Sequence, residues 1–341
     1  MAKKNQYPNA THRLAIALGD PAGIGMEITL KALASHKLPS GMLPLIVGCK
    51  KTLIATHGSL KAKGVWPLPN INDLEIEDIP LTEKVKPGYP SAKSGSASFQ
   101  WLTKAAEFAR EEQAIGLVTA PICKDAWHLA GHNYPGQTER LAELTGLKQA
   151  SMLFTAKSPQ SNWRFNTLLA TTHIAISELP KQLTPDLISS KLDILLAFCK
   201  KFNDRPTLSI AGLNPHAGEK GLIGTEEIQW LIPLINDWRK KHPTIKLIGP
   251  VAPDSCWLPA AQAWSKGATI HTPDGFLALY HDQGLIPMKL LAFDAAVNLT
   301  LELPFIRTSP DHGTAFDIAD KGCAREQSML AAIKTAWELK N

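Results

Sequence analysis

Short apolar runs alternate with amphipathic helix patterns along almost the whole chain. Residues 14–18 and 43–47 are apolar runs of strand length, and residues 94–113 and 225–242 carry apolar side chains at helical spacing. Strands that alternate with helices in this way are typical of α/β proteins, in which each helix returns the chain to the same end of a parallel sheet. The sequence therefore predicts an α/β fold with a largely parallel sheet.

The length of the chain predicts more than one hydrophobic core. Single cores stop growing at about 250–300 residues, and this chain has 341 residues, of which 44% are hydrophobic. No internal repeat or low-complexity linker marks a boundary. We expect a first α/β lobe of residues 1–125 plus 300–341 and a second lobe of residues 126–299, with both boundaries approximate.

The charge distribution argues against several classes of partner. The formal net charge is +5, from 36 basic and 31 acidic residues, and the sequence contains no basic block. We therefore expect no nucleic-acid partner, whereas a modest positive field suits a small anionic substrate. We also expect no membrane span, because no apolar run is long enough. The five cysteines have no paired spacing, which favours a reducing compartment and a cytoplasmic protein.

Three histidines occupy the same kind of position. His173, His216 and His281 each follow an apolar, strand-like run directly or within a few residues. The carboxyl ends of parallel strands line the ligand crevice of an open sheet, so three imidazoles placed there could converge on one divalent cation. The alternative is that each histidine is structural, which is the commoner role of a single histidine in this position.

Lys289, Asn298 and Arg307 recur at intervals of nine residues. Arginine presents a planar fork to phosphate or carboxylate, and lysine adds a point charge. These residues predict an anion pocket beside the metal. The alternative is that the two cations form ion pairs with the nearby acids Asp294, Glu302 and Asp311.

Two further features could contribute to a site. The glycine-rich segment 19–25 lies between a predicted strand and a predicted helix, where it could aim backbone N–H groups at an anion or simply form a tight turn. Its spacing is not GxGxxG, so it does not indicate a Rossmann fingerprint. Asp254 and Asp282 follow predicted strands and could act as a general base or orient a histidine, although either could instead cap a turn.

Several long motifs resemble one known family. The motifs are GDPAGIG at 19–25, TAPICK at 119–124, PGQTE at 135–139, TTH at 171–173, GLNPHAGE at 212–219, GTEEI at 224–228, YHDQGLIPMK at 280–289 and VNLTLELPFIRTSPDHGTAFDIA at 297–319. In this order they resemble the 4-hydroxythreonine-4-phosphate dehydrogenase family of vitamin B6 biosynthesis. The resemblance implies a two-lobed fold similar to isocitrate and isopropylmalate dehydrogenases, with the active site in a cleft between the lobes.

The resemblance also implies site residues and partners. The family's metal ligands correspond to His173 and His216 of one subunit and His281 of the other, so the second lobe would carry the interface of a homodimer. NAD or NADP would accept the hydride, and each subunit would hold one divalent ion, for which zinc, magnesium and cobalt stay open. No residue is assigned to nicotinamide binding. The substrate-binding residues implied are Gln137, Thr138, Lys289, Asn298 and Arg307, and the catalytic acid implied is Asp254.

This sequence departs from the family pattern at two positions. Gln137 stands where many members have histidine, and glutamine cannot carry a proton. If the histidine transfers a proton in those members, another group must do so here, and Asp254 is the candidate. Glu302 stands where the family usually has glycine, which places an extra acid near the predicted anion pocket.

The reaction implied is the oxidation of 4-phosphohydroxy-L-threonine to a β-keto acid, which decarboxylates to 3-amino-2-oxopropyl phosphate. A first alternative is a paralogue with the same chemistry on 4-hydroxythreonate or on a dihydrodiol carboxylate. A metal-dependent hydrolase that uses the three histidines without a nicotinamide is a second alternative. The third is a binding protein that kept the scaffold without catalysis.

Overall fold

A computed structural model describes residues 12–148 and 150–340. In it the chain divides into two compact units. The first unit contains the described residues up to 150 and those from 297 onward, and the second contains residues 151–296. No helix in the described part of the chain is both long and apolar enough to cross a membrane.

The strands are short and mostly buried. They are β1 (His12–Ala17), β2 (Met42–Gly48), β3 (Glu75–Asp78), β4 (Gly116–Thr119), β5 (Ser151–Lys157), β6 (Arg164–Leu169), β7 (Thr207–Ala211), β8 (Lys246–Val251), β9 (Gly275–Ala278), β10 (Val297–Leu301) and β11 (Ile306–Pro310).

The helices separate most of these strands along the chain. They are α1 (Gly25–Leu33), α2 (Lys50–Ala62), α3 (Ala92–Arg110), α4 (Lys124–Leu129), α5 (Gln137–Leu144), α6 (Leu179–Gln182), α7 (Pro185–Cys199), α8 (Ile232–Lys241), α9 (Leu258–Lys266), α10 (His281–Ala292) and α11 (Gln327–Glu338). A π-helical turn, Glu227–Leu231, leads directly into α8.

The strands of the first unit follow the order β3-β2-β1-β4-β11-β10. Neighbouring strands are parallel, except that β10 runs antiparallel to β11. Helix α3 begins at a capping box formed by Ser91 and Ser94 and packs on the sheet through apolar side chains such as Trp101. Burial of both sheet faces explains why residues 14–17 of β1 and all of β2 are apolar.

The strands of the second unit follow the order β5-β6-β9-β7-β8. Strand β5 is antiparallel to β6, and the other neighbours are parallel. Helix α7 begins at Thr184, whose hydroxyl accepts a hydrogen bond from the N–H of Leu187, with Pro185 in the first turn. Because β6, β9 and β7 are parallel neighbours, their carboxyl ends lie along one edge of the sheet.

The predicted α/β class is confirmed, although one predicted helix differs in detail and one helix was not predicted. The helix expected over 225–242 opens with the π-helical turn before α8 begins. Helix α10 was not predicted, since Pro287 interrupts its apolar pattern, yet the helix accommodates this proline. The compact units change at residues 150/151 and 296/297, whereas the sequence placed approximate boundaries at 125/126 and 299/300. Residues 126–148 lie with the first unit because Trp127 is buried against α3 and donates to Ser98 Oγ at 2.8 Å.

Candidate active site

Arg307 is a buried cation held by neutral groups. Its side chain in β11 is only 2% exposed. Nη1 donates to Thr300 Oγ1 at 2.9 Å and Nη2 donates to Thr119 Oγ1 at 2.8 Å. Its Nε is buried without a hydrogen-bond partner. The β10–β11 register pairs Thr300 with Arg307 directly, so the strands themselves fix this geometry.

Arg307 keeps its charge in a buried position without an anionic hydrogen-bond partner. Burial lowers the pKa of Arg307 to about 10, and the charge of Glu139 opposes this shift. No carboxylate among the described residues forms an ion pair with Arg307, and its two hydrogen bonds go to hydroxyls. The ion-pair alternative is therefore wrong for this residue. A buried guanidinium without an anionic partner is costly, and a bound phosphate or carboxylate would offset that cost.

Gln137 and Thr138 begin helix α5. Gln137 Nε2 donates to the carbonyl oxygen of Ala120, just beyond β4, at 3.2 Å, and its Oε1 is buried without a partner. Because the Ala120 carbonyl can only accept, the amide group must face it with its NH₂. The Oε1 atom of Gln137 is therefore a buried acceptor without a partner.

Asn298 also has an unsatisfied atom. It lies in β10, two residues before Thr300, and its Oδ1 is buried without a partner. A buried polar atom without a partner costs roughly 1–3 kcal/mol. Three residues predicted to bind substrate thus have such atoms in the first unit, with Arg307 offering a donor and Gln137 and Asn298 offering acceptors.

An aromatic cluster supports the start of α5. The rings of Phe99 and His132 stack at a centroid distance of 3.7 Å, and the Arg140 guanidinium lies 4.7 Å from the centre of the Phe99 ring. Glu143 accepts from both Tyr134 Oη and Arg140 Nη1 at 2.6 Å. These contacts fix the segment before Gln137 to α3 and to α5 itself. The sequence reasoning missed this cluster, and it also missed Thr119 and Thr300.

The glycine-rich segment 19–25 is a tight turn whose N–H groups are used within the protein. Asp20 N–H donates to the Pro121 carbonyl at 2.9 Å, and Ile24 N–H donates to the Thr314 carbonyl at 3.1 Å. Ala22 N–H donates to Asp20 Oδ1 at 2.8 Å. Burial raises the pKa of Asp20, although this hydrogen bond opposes the shift. The turn interpretation is thus favoured over an anion site at these N–H groups.

The three predicted metal ligands lie in the second unit after neighbouring strands. His173 follows β6, His281 follows β9 and His216 follows β7. The ring centroids of His173 and His281 are 5.5 Å apart, with the planes inclined at 45°. His281 Nδ1 lies 2.8 Å from Asp282 Oδ1. A carboxylate that accepts from one ring nitrogen in this way leaves the other nitrogen oriented for a ligand.

His216 lies in a run of left-handed backbone. The φ angles from His216 to Lys220 are 51°, 52°, 77°, 43° and 56°, and only Gly218 in this run lacks a Cβ. A residue other than glycine loses roughly 1 kcal/mol or more in this region. The surrounding contacts must therefore hold the segment in place.

The spacing of two of the predicted ligands suits a divalent ion. Two imidazoles that bind one ion through nitrogens at about 2.0–2.1 Å would hold their ring centres roughly 5 Å apart, which is close to the separation of His173 and His281. Within residues 12–148 and 150–340, no group of three or more His, Cys, Asp or Glu side chains is arranged to hold a metal ion. The predicted site shared by two subunits concerns a pair of chains and stays a prediction.

Two other predicted residues also lie in the second unit. Asp254 is exposed in the turn that follows β8, and Lys289 is exposed on α10. Asn298 and Arg307 belong to the first unit, so the three residues spaced nine apart are divided between the units. The roles of Asp254 and Lys289 stay predictions.

Each segment that bears a histidine also carries exposed apolar side chains. Helix α10 exposes Ile286 and Leu290, which is 81% accessible. Similar side chains follow the other two histidines. They are Ile174 and Ile176 after His173, and Leu222, Ile223 and Ile228 after His216.

Comparison with known proteins defines the class and then the family. The chain has the fold of the isocitrate dehydrogenase class. The solved isocitrate dehydrogenase of Methylococcus capsulatus superposes on it with a TM-score of 0.50 at 14% identity, over 96% of this chain and 85% of that one. The sequence profile described as "Pyridoxal phosphate biosynthetic protein PdxA" matches residues 41–336. The chain belongs to this 4-hydroxythreonine-4-phosphate dehydrogenase family and is an oxidoreductase.

Individual relatives cover nearly the whole chain. The 4-hydroxythreonine-4-phosphate dehydrogenase of Synechococcus sp. (strain RCC307) is 59% identical over 96% of this chain and 99% of its own length. The D-threonate 4-phosphate dehydrogenase of Salmonella typhimurium (strain LT2) is 39% identical over 96% of this chain and 99% of its own length. A solved 4-hydroxythreonine-4-phosphate dehydrogenase from Klebsiella pneumoniae is 35% identical, with a TM-score of 0.79 over 97% of this chain and 100% of that one.

Proposed function

We propose that this protein catalyses the metal-dependent, NAD(P)-linked oxidation of 4-phosphohydroxy-L-threonine in pyridoxal phosphate biosynthesis. The β-keto acid product then decarboxylates to 3-amino-2-oxopropyl phosphate. The observation that carries this proposal is the buried Arg307, whose hydrogen bonds go only to hydroxyls and whose Nε has no partner. A phosphorylated substrate supplies the anion that this group lacks.

Residues of the first unit bind and orient the substrate. Arg307 holds the anionic end, and the free oxygens of Asn298 and Gln137 accept hydrogen bonds from hydroxyl or amino groups. Thr138, next to Gln137 at the start of α5, adds a hydroxyl. Lys289 is a further proposed substrate residue, since it is exposed and follows His281 on the same helix. Fixing the reacting carbon in this way lowers the entropic part of the barrier.

The hydrogen bonding of Gln137 bears on proton transfer. One N–H of its amide is bound to the Ala120 carbonyl, and its buried Oε1 is a neutral acceptor for the substrate. We infer that Gln137 binds and does not transfer a proton. Asp254 is then the proposed general base, because it is an exposed carboxylate in a loop after a strand.

His173, His216 and His281 are the proposed metal ligands. A divalent ion held there would act as a Lewis acid towards the substrate hydroxyl and the charge that develops on decarboxylation. Zinc and cobalt suit imidazole ligands, whereas magnesium prefers oxygen. Asp282 orients the His281 ring through Nδ1.

A homodimer would complete the metal site. The second unit exposes apolar side chains beside each of the three histidine segments. Exposed apolar groups of this kind are typical of interfaces. We propose that His281 of one subunit joins His173 and His216 of the other. The five free cysteines are consistent with a reducing, cytoplasmic location.

A steady-state assay tests the proposed function. The purified, chelator-treated protein would be given 4-phosphohydroxy-L-threonine, NAD or NADP, and zinc, cobalt or magnesium in turn. We expect reduced nicotinamide to form only when metal is restored. The unphosphorylated analogue 4-hydroxythreonine should be oxidised at least 100-fold less efficiently, and D-threonate 4-phosphate tests the nearest alternative that retains the phosphate. Equal efficiency with and without the phosphate would overturn the substrate assignment.

A further inference from the structure

One buried carboxylate binds the residues that precede the left-handed segment carrying His216. Glu227 is 1% exposed, and its Oε1 accepts hydrogen bonds from the backbone N–H groups of Leu213 and Asn214 at 2.8 Å and 2.7 Å. Its Oε2 accepts from Asn214 Nδ2 at 2.8 Å. All three bonds thus go to the two residues that lie just before Pro215 and His216.

We propose that Glu227 is a positioning residue that fixes the His216 imidazole for metal binding. This inference rests on the proposed role of His216 as a metal ligand. A buried carboxylate is retained only where hydrogen bonds compensate its desolvation, and among the described residues no cation pairs with Glu227. Its bonds instead go to the two residues that lead into the left-handed run at 216–220. Strained backbone of that kind persists only where the surrounding structure holds it.

The glycines around Glu227 show how closely this contact is built. A Cβ at Gly218 would lie 2.7 Å from Glu227 Oε2, and a Cβ at Gly224 would lie 2.5 Å from Asn214 Nδ2. The π-helical turn begins at Glu227 itself. Single π-helical turns recur at functional sites because they shift one side chain relative to the rest of the helix. Backbone and side chain therefore both support a specific contact between Glu227 and the loop.

Glu226 offers a matched control. It is the preceding acid in the sequence and also accepts from Asn214 Nδ2 at 2.8 Å, but none of its hydrogen bonds comes from the backbone of residues 213–214. Glu226→Ala removes a similar charge and one side-chain hydrogen bond. It leaves both bonds to the Leu213 and Asn214 N–H groups intact.

Two readouts test the proposal without enzyme turnover. Hydrogen exchange of the metal-free protein measures protection of the amides of residues 213–214 and of the segment 216–221. Competition with a chromogenic chelator measures the affinity for Zn²⁺ and Co²⁺. We expect Glu227→Ala to accelerate exchange at least 10-fold and to weaken metal binding at least 10-fold, whereas Glu226→Ala should stay within 3-fold of the wild type in both.

A further variant keeps the test decisive if Glu227→Ala folds poorly. Glu227→Gln retains one oxygen that can accept from both backbone N–H groups, so it should recover most of the metal affinity. Wild-type affinity in Glu227→Ala, while His216→Ala loses affinity, would overturn the positioning role alone, and so would a folded Glu227→Gln protein that recovers no affinity. Wild-type affinity in His216→Ala would overturn the metal assignment itself.

Discussion

The first unit holds Asn298, Thr300 and Arg307 on strands, whereas the second unit presents His173 and His216 on exposed segments beyond strand ends. Arg307 and Thr300 face each other across the β10–β11 ladder, and their positions follow from strand register. His173 and His216 lie beyond strand ends, and His216 needs a left-handed backbone to reach its position. Arg307 is thus fixed by strand pairing, whereas the positions of His173 and His216 depend on the segments that follow their strands.

This difference has a physical basis. A buried cation must be held rigidly, because each unsatisfied donor in a dry environment is costly. Metal ligands are strongly held only once the ion is bound, so their loops can be exposed and strained beforehand. The apolar side chains on the same segments are exposed, as the proposed dimer interface requires.

The largest expected effect is at His216. We predict that His216→Ala lowers metal-dependent turnover at least 10³-fold. Loss of one of three protein ligands should remove most of the affinity for the metal ion. The fold should persist, since this side chain is exposed and its backbone is strained. Assays after chelator treatment and metal reloading measure the effect, with the exposed His271→Ala as the control. Near-normal turnover in the His216 variant would refute the metal assignment.

Substitution of Arg307 should give the next largest loss of activity, without a loss of stability. Arg307→Met should lower kcat/KM for the phosphorylated substrate by about 10²-fold or more, since a charged hydrogen-bonding partner of the substrate is lost. Its melting temperature should stay equal or rise, because a buried charge without an anionic partner is removed. Thermal unfolding and kinetics measure both, with the exposed Arg205→Met as the control. A large fall in stability would show that Arg307 is mainly structural.

A substitution on the exposed face of α10 should lower activity less, and only by preventing formation of the dimer. Leu290→Asp places a charge on an apolar position that is 81% accessible in one chain. We expect dissociation to monomers in sedimentation velocity and a loss of activity of about 10-fold or more at low protein concentration. Ile54→Asp, on α2 of the first unit, is the control and should change neither property. A Leu290→Asp protein that remains dimeric and active would exclude this face from the interface.

The smallest effect is expected at Glu302. Its φ is 72° in the turn between β10 and β11, a left-handed conformation that suits the glycine usual in the family. Glu302→Gly should therefore stabilise the protein by about 0.5–1 kcal/mol and leave turnover unchanged. Urea unfolding measures the change. Lower stability in this variant would mean that the Glu302 side chain makes a contact worth more than the strain.

The sequence predicts the strands and the candidate residues better than it predicts their surroundings. Apolar runs identify buried strands directly, and long motifs identify Arg307 and His216. The sequence does not identify Thr119 and Thr300, because threonine is common in strands. Only the register of the strands shows that their hydroxyls lie against the Arg307 guanidinium. Glu227 escapes notice because its partners lie 13 and 14 residues away through a π-helical turn. The left-handed run after Pro215 was equally hidden, since most of its residues are not glycine.

A mixing experiment decides whether the metal site is shared between two copies of the chain. His173 and His281 lie close together within one chain, so a pair of ligands from the same subunit is the competing arrangement. In our account His281 joins His173 and His216 of the partner. Each single variant should be inactive, but co-expressed His173→Ala and His281→Ala chains should form heterodimers with one intact site.

With random assembly, these mixed chains should recover about a quarter of the wild-type activity. Mixed His173→Ala and His216→Ala chains should recover no activity. In the proposed arrangement one subunit supplies both His173 and His216, so every site in the mixture would lack one of these two ligands. Recovery in the second mixture and none in the first would show that His173 and His281 act from one chain. Recovery in neither would place all three ligands in a single subunit and contradict the shared site.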